Sequence, residues 1–72
     1  MALQQKFGRV IRRRREAAGL SQEKLAALAG LHRTYVSLLE RGKRMPSIEV
    51  VRVIAAALET TMTSIIGELE KG

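Results

Sequence analysis

Residues 21–42, with the sequence SQEKLAALAGLHRTYVSLLERG, decide the fold of this 72-residue chain. The stretch begins with Ser21, a residue type favoured as a helix N-cap because its hydroxyl can accept a hydrogen bond from a free backbone N–H of the first turn. Apolar residues then share one face at helical spacing, namely Leu25, Leu28 and Ala29. The first half of the stretch therefore predicts a short amphipathic helix over about residues 22–29.

A second short helix is predicted after a break at Gly30. Glycine gives the backbone the freedom that a tight turn between two helices requires. Beyond the break, Val36 and Leu39 stand three residues apart and form an inward-facing pair. Ala26 is small enough for the second helix to cross the first closely. The stretch as a whole predicts two crossing helices, the second over about residues 32–41.

The positions that set this crossing carry a family resemblance. Their spacing resembles that of the helix-turn-helix in the phage-repressor/Cro-like (XRE) family. The matching positions are Gln22, Ala26, Gly30, Val36 and Leu39. More narrowly, residues 32–44, HRTYVSLLERGKR, resemble the controller proteins of restriction–modification systems, in which an Arg-Thr-Tyr run followed by Val or Ile and Ser opens the recognition helix. The resemblance implies an all-α, compact five-helix, lambda-repressor-like DNA-binding domain with the helix-turn-helix at helices 2 and 3. It also implies a homodimer that binds operators near its own promoter and activates or represses by occupancy.

Helical periodicity outside the central stretch predicts two further core helices. The first runs to a closing glycine, Gly19, and carries an apolar stripe made of Leu3, Phe7, Val10, Ile11, Ala17 and Ala18. The other begins at Ser47, an N-cap that follows Pro46, and its predicted inward face is Ile48, Val51, Ile54, Ala55 and Leu58. We expect residues 1–72 to form a single helix-turn-helix domain.

A last helix, over about residues 61–70, is predicted to follow Thr61 as its cap. One of its faces closes the core, and the remaining apolar surface needs a second cover. A partner subunit is the favoured cover, and a simple closing helix of a monomer is the alternative. The predicted dimer interface is Met62, Ile65, Ile66 and Leu69.

An unbroken run of arginines, residues 12–15, lies within the first helix. Arg15 matches the family arginine that pairs with a glutamate late in the recognition helix, which is Glu40 here, so the resemblance implies a structural ion pair. Arg14 stands where the family usually has a large aliphatic residue, and we expect its stem to lie on the core and its head to point outward. The family commonly has glycine at the position of Glu59, after the fourth helix.

The composition excludes most catalytic chemistry. The chain has no cysteine, no aspartate and one histidine, so neither a Ser-His-Asp nor a Cys-His arrangement nor a two-His metal site can be assembled. We expect no enzyme activity and no cofactor, and nothing indicates a small-molecule effector. No apolar stretch is long enough to span a bilayer, and the start of the chain lacks the apolar run of a signal peptide. We therefore expect a cytoplasmic, nucleoid-associated protein that does not bind a membrane.

A net charge of +6 indicates a polyanionic partner, either nucleic acid or an anionic membrane surface; a merely solubilising charge is the alternative. The distribution of the charge favours double-stranded DNA, because basic residues cluster around the recognition helix. Phosphate contacts are expected from that cluster and from the start of helix 2, where an amide lies beside free backbone N–H groups. The predicted backbone-contacting residues are Gln22, His32, Arg41, Lys43 and Arg44.

The predicted base readers lie on the outer face and the flanks of the recognition helix, because Val36 and Leu39 are taken up by the core. They are Arg33, Thr34, Tyr35, Ser37 and Leu38. Arg33 can bond guanine O6 and N7 in bidentate fashion. The sequence leaves two alternatives open for Tyr35, which packs either on DNA or on the core. It also leaves two for Leu38, which either contacts thymine methyl groups or lies beside the twofold axis of the dimer.

The leading hypothesis is a homodimeric, sequence-specific regulator of transcription that binds double-stranded DNA. The alternative is an antitoxin or adaptor that binds a protein partner through the same fold. RNA binding is a weaker third hypothesis, because only 3% of the residues are aromatic and base-stacking platforms need more.

Overall fold

The computed structural model describes residues 1–71, which fold into five α-helices. They are α1 (Leu3–Ala17), α2 (Gln22–Ala29), α3 (Arg33–Glu40), α4 (Ile48–Ala57) and α5 (Met62–Lys71). The predicted all-α, five-helix architecture is confirmed. Helix α3 is one residue shorter at each end than predicted, because His32 and Arg41 are the residues that cap it and are not themselves helical.

One continuous apolar core lies between the helices, with every helix contributing to it. α3 packs on α1 and α2, while α5 closes the core against α1 and α4. The core residues are Phe7, Val10, Ile11, Leu25, Ala26, Ala29, Val36, Leu39, Val51, Ile54, Ala55, Ile65 and Leu69.

Side-chain caps start three of the helices, as the sequence predicts. The hydroxyls of Ser21, Ser47 and Thr61 accept hydrogen bonds at 3.0, 3.1 and 3.0 Å from the backbone N–H three residues on. Between α2 and α3, Gly30 adopts φ +72°, and the N–H of Leu31 donates to the carbonyl of Ala26 at 2.8 Å. This backbone conformation is the one that the predicted glycine turn requires.

The exit from α4 makes the same kind of turn without glycine. Glu59 has φ +56°, and among the described residues it is the one non-glycine residue with positive φ. A side chain in this left-handed region costs conformational energy because its Cβ crowds the backbone. Glu59 therefore holds a strained position that the family commonly gives to glycine.

Helices α1 and α3 approach each other closely at Gly8. A Cβ built on Gly8 would lie 2.5 Å from the carbonyl oxygen of Leu39 and 2.6 Å from that of Glu40. Nearby, the Gln4 amide donates to the carbonyl of Gly42 at 2.9 Å, which ties the start of α1 to the segment after α3. The recognition helix can lie this close to α1 only because Gly8 has no side chain.

The sequence predicted that the guanidinium of Arg14 points into solvent, and this prediction is wrong. The guanidinium reaches α5 and the turn before it, where it donates to Thr60 Oγ1 at 3.1 Å and to Ser64 Oγ at 2.8 Å. It also pairs with Glu68, which Arg13 contacts as well. The polar residues of α5 therefore replace, with hydrogen bonds, the apolar contact that an aliphatic residue makes at this position.

Several residues of the predicted apolar faces lie on the surface, among them Leu3 at the start of α1, which is 53% exposed. Leu28 is 53% exposed although Leu25 and Ala29 are buried, and Ile48 is 75% exposed although Val51 and Ile54 are buried. Each occupies an end of its helix, beyond the part that neighbouring helices cover. Ala17 and Ala18 at the end of α1 are exposed for the same reason.

No single helix within residues 1–71 is long and apolar enough to cross a bilayer. Helices α4 and α5 reach that length and composition only together, with a 107° bend between them.

Candidate nucleic-acid interface

The orientation of α3 follows from Val36 and Leu39, which are completely buried. Since these two side chains fix the inner face, the start of the helix and its outer face are left to solvent. Arg33 and Thr34 are exposed there, and Ser37 is half-buried one turn further on. The predicted base readers Arg33, Thr34 and Ser37 therefore share one accessible surface at the end of the helix that enters a major groove in this motif.

Tyr35 and Leu38 occupy the flanks of α3 and are half-buried. Tyr35 packs against the core, which is one of the two positions that the sequence left open for its ring. Leu38 keeps part of its side chain accessible beside Thr34 and Ser37.

His32 precedes α3 as its N-cap residue, with extended backbone angles of φ −84° and ψ 144°. Its ring makes no capping hydrogen bond, and the side chain is exposed. The imidazole therefore lies free at the start of α3. No cluster of potential metal ligands occurs in the part of the chain that the structure describes.

The predicted ion pair between Arg15 and Glu40 is present. Arg15 Nε donates to Glu40 Oε2 at 2.6 Å, and Arg15 Nη2 donates to Glu40 Oε1 at 3.0 Å. The two side chains are 11% and 2% exposed. The hydrogen bonds to the Glu40 carboxylate raise the pKa of Arg15 above its ordinary value. The pair joins the last turn of α1 to the last turn of α3, as the resemblance implied.

Gln22 belongs to the same network. Its Nε2 donates to Glu40 Oε1 at 3.0 Å, while Arg15 Nη1 donates to the backbone carbonyl of Leu20 at 2.8 Å. The sequence predicted Gln22 as a phosphate ligand but gave no sign of its bond to Glu40. The residues that open α2 are therefore fixed to α1 and α3 by side chains.

Basic residues follow α3 on an exposed surface: Arg41, Lys43 and Arg44. None of the three, nor Arg33, forms an ion pair within residues 1–71, whereas Arg12 to Arg15 and Arg52 all pair with glutamates. The glutamates that pair with Arg12 to Arg15 offset part of the positive charge of α1, whereas the charge around the helix-turn-helix stays available to a polyanion.

Arg9, which the sequence analysis did not single out, lies near this basic surface. Its side chain is exposed and lines a surface cleft together with Gln5, Glu40 and Arg41. The helical spacing of α1 shows that Arg9 points outward, but only the packing of α1 on α3 shows that it lies beside Arg41.

Comparisons with known proteins agree with this geometry. A family model described as "Helix-turn-helix" matches residues 11–65. The control protein C.MunI from Mycoplasma sp is 39% identical over 92% of this chain and 90% of its own length. The crystal structure of the restriction-modification controller protein C.AhdI from Aeromonas hydrophila matches with a TM-score of 0.84 and 44% identity, over 86% of this chain and 94% of that one.

The chain belongs to the helix-turn-helix family of controller proteins. It is accordingly a sequence-specific DNA-binding transcriptional regulator and not an enzyme. A further member of this family, C.Esp1396I, is similar over 99% of this chain and 93% of that one, with 34% identity and a TM-score of 0.89. That protein was crystallised as a tetramer in complex with its natural 35 base-pair operator.

The interface predicted on α5 of this controller-family chain needs a correction. Ile65 and Leu69 are 0% and 8% exposed, because both fill the core of their own protomer. Met62 is half-buried against the same core, and Ile66 is 40% exposed. Of the four predicted residues, Ile66 alone has an exposed apolar side chain that a partner could cover.

Ile66 is part of a larger exposed apolar surface that the sequence did not reveal as one unit. Leu3, Met45, Ile48 and Ile66 surround a shallow groove and are 53%, 55%, 75% and 40% exposed. We call these four residues the apolar face. They come from α1, the segment before α4, the start of α4 and α5, so only the fold brings them together.

Proposed function

We propose that this protein is a restriction–modification controller that binds operator half-sites near its own promoter as a homodimer. The observation that carries the proposal is the exposed start of α3: Arg33 and Thr34 are accessible, and neither Arg33 nor the basic residues after α3 form an ion pair within residues 1–71. Relatives of the same length and fold support the controller role. The dimer activates or represses transcription by occupying the operator. The protein would then act in the cytoplasm, bound to the DNA of the nucleoid.

Arg33, Thr34, Ser37 and Leu38 read base edges in this proposal, and Tyr35 supports them from the flank. Arg33 recognises a guanine through two parallel hydrogen bonds. The backbone contacts come from residues on both sides of the recognition helix, which hold the duplex in register without reading sequence. They are Gln22, His32, Arg41, Lys43 and Arg44.

The second copy of the chain docks on the apolar face. An exposed cluster of four large aliphatic side chains is costly in water, and a second copy can cover it by placing the same residues opposite their equivalents. A symmetric dimer also matches the symmetry of a two-half-site operator, with recognition helices roughly 34 Å apart. The tetramer of C.Esp1396I on its operator supports self-association within this family.

Equilibrium binding to DNA tests the proposal. We would label a duplex taken from the region upstream of the gene and measure fluorescence anisotropy against a scrambled duplex, at about 50 and about 200 mM salt. The proposal predicts a preference of about a thousandfold or more for the upstream duplex, with affinity falling as salt rises. Equal binding to both duplexes contradicts it, and the absence of DNA binding together with co-purification of a different protein supports the adaptor alternative.

A further inference from the structure

The Glu40 carboxylate accepts hydrogen bonds from two directions at once. Arg15 donates to both of its oxygens, and Gln22 Nε2 donates to Oε1 at 3.0 Å. Glu40 is 2% exposed, so this arrangement is held inside the protein and not at a mobile surface. Residues from α1, α2 and α3 therefore meet at one carboxylate.

This contact determines which end of the Gln22 amide faces Glu40. An ionised carboxylate only accepts hydrogen bonds, so the amide must present its NH2 group to Glu40 and its carbonyl oxygen away from it. The NH2 group carries two N–H bonds, and Glu40 uses one. A phosphate oxygen is likewise an acceptor, so the second N–H can serve it while the first stays on Glu40.

Arg15 removes the electrostatic objection to this arrangement. A lone carboxylate behind Gln22 would repel a DNA phosphate, but the bidentate guanidinium neutralises it. Arg15 also holds the carbonyl of Leu20 at 2.8 Å, two residues before Gln22. The backbone and the side chain at the start of α2 are thus fixed by one charged pair.

We propose that Glu40 is a positioning residue for DNA binding, which holds the Gln22 amide so that its second N–H points to a phosphate of the operator. The inference rests on the proposed function, because it assigns Gln22 to the DNA backbone. It gives the Arg15–Glu40 pair a role in binding in addition to its role in the fold.

A double-mutant cycle with Gln22→Ala and Glu40→Gln tests this role on the full chain. In Glu40→Gln, a single amide oxygen, which accepts at most two hydrogen bonds, faces three N–H donors of Arg15 and Gln22, so Gln22 loses its fixed orientation. Each single variant is expected to weaken operator binding about tenfold, which is the effect of one hydrogen bond to a charged group. The double variant is expected to lose little more than either single variant, because both changes remove the same contact.

The sign of the Glu40→Gln effect separates positioning from two simpler roles. Loss of a negative charge near DNA tightens binding if only electrostatics acts, and Glu23→Gln provides that control one residue from Gln22. A merely structural Glu40 lowers thermal stability but leaves the affinity of the folded protein unchanged. Tighter or unchanged binding by folded Glu40→Gln, or additive effects in the cycle, would overturn the proposal.

Nuclear magnetic resonance of the wild-type chain decides the matter if Glu40→Gln does not fold. The side-chain amide of Gln22 should show two resolved protons, one unmoved and one shifted when operator DNA is added. An amide that DNA leaves unchanged, or one in which both protons move because Gln22 leaves Glu40, contradicts the inference. If the wild type does not bind DNA at all, the proposed function fails and not this step alone.

Discussion

Gly8 on α1 lies directly against the backbone carbonyl of Leu39 on α3, at a distance that leaves no room for a side chain. The carbonyl belongs to the recognition helix, so the contact sets how far that helix stands from α1. A carbonyl oxygen in a helix cannot move aside as a flexible side chain can. The spacing between scaffold and reading helix is therefore encoded by a glycine.

Gly8→Ala should destabilise the protein by about 1–3 kcal/mol, the usual cost of overpacking a filled interior. Urea unfolding followed by circular dichroism measures this change. Gly67→Ala is the matched control, since a Cβ at that position of α5 meets nothing within 4 Å. It should raise stability by about 0.5–1 kcal/mol, because alanine favours a helix interior over glycine. Equal effects of the two substitutions would contradict the close-approach account.

The helix-turn-helix was predictable because its signals are local. The cap at Ser21, the turn at Gly30 and the inward pair of Val36 and Leu39 each depend on a few neighbouring residues. The pairing of Arg15 with Glu40 came from the family resemblance, since nothing in local periodicity joins residues so far apart in the chain.

Residues at helix ends and at contacts between helices could not be placed from the sequence. Periodicity placed Ile48 with Val51 on one side of α4, which is right, but it could not show that the other helices stop short of Ile48. The same signal could not tell whether Ile65 faces its own core or a partner. Arg14 and Gly8 depend on which helix packs opposite them, and a single sequence does not contain that information.

Glu59→Gly should stabilise the protein by up to about 1 kcal/mol. The left-handed backbone at Glu59 costs an L-residue about 1–2 kcal/mol, and glycine gives back about 0.5–1 kcal/mol through its larger entropy loss on folding. Thermal unfolding should then show a midpoint higher by several degrees. Glu59→Ala removes the carboxylate without relieving the backbone and should bring no such gain. If alanine stabilises as much as glycine, charge and not strain is the cause.

Removal of either Arg15 or Glu40 alone should cost about 3–5 kcal/mol, since each leaves a buried charge without its partner. The double variant Arg15→Ala/Glu40→Ala should cost clearly less than the sum of the two, which denaturant unfolding of all four proteins measures. The exposed pair of Glu49 and Arg52 is the control cycle and should show little coupling. Absence of coupling between Arg15 and Glu40 would show that their contact does not stabilise the fold.

Ile48→Glu should abolish dimerisation and leave the protomer folded. Ile48 is mostly exposed, and a carboxylate suits the first turn of α4, so the substitution acts on the interface and not on the core. Leu28→Glu is the control, because Leu28 is another exposed leucine-sized residue outside the apolar face. Sedimentation equilibrium should show a monomer of 8.0 kDa for the first variant and a dimer for the second. A dimeric Ile48→Glu variant would place the interface elsewhere.

We expect α3 to read bases while the basic segment after it holds phosphates. Binding of Arg33→Ala and Lys43→Ala to operator and scrambled duplexes, over a range of salt concentrations, tests this division most directly. Arg33→Ala should lose about 1–3 kcal/mol on the operator and little on the scrambled duplex. Lys43→Ala should weaken both duplexes alike and reduce the slope of log affinity against log salt by about one. Equal losses on both duplexes for both variants would contradict the assignment.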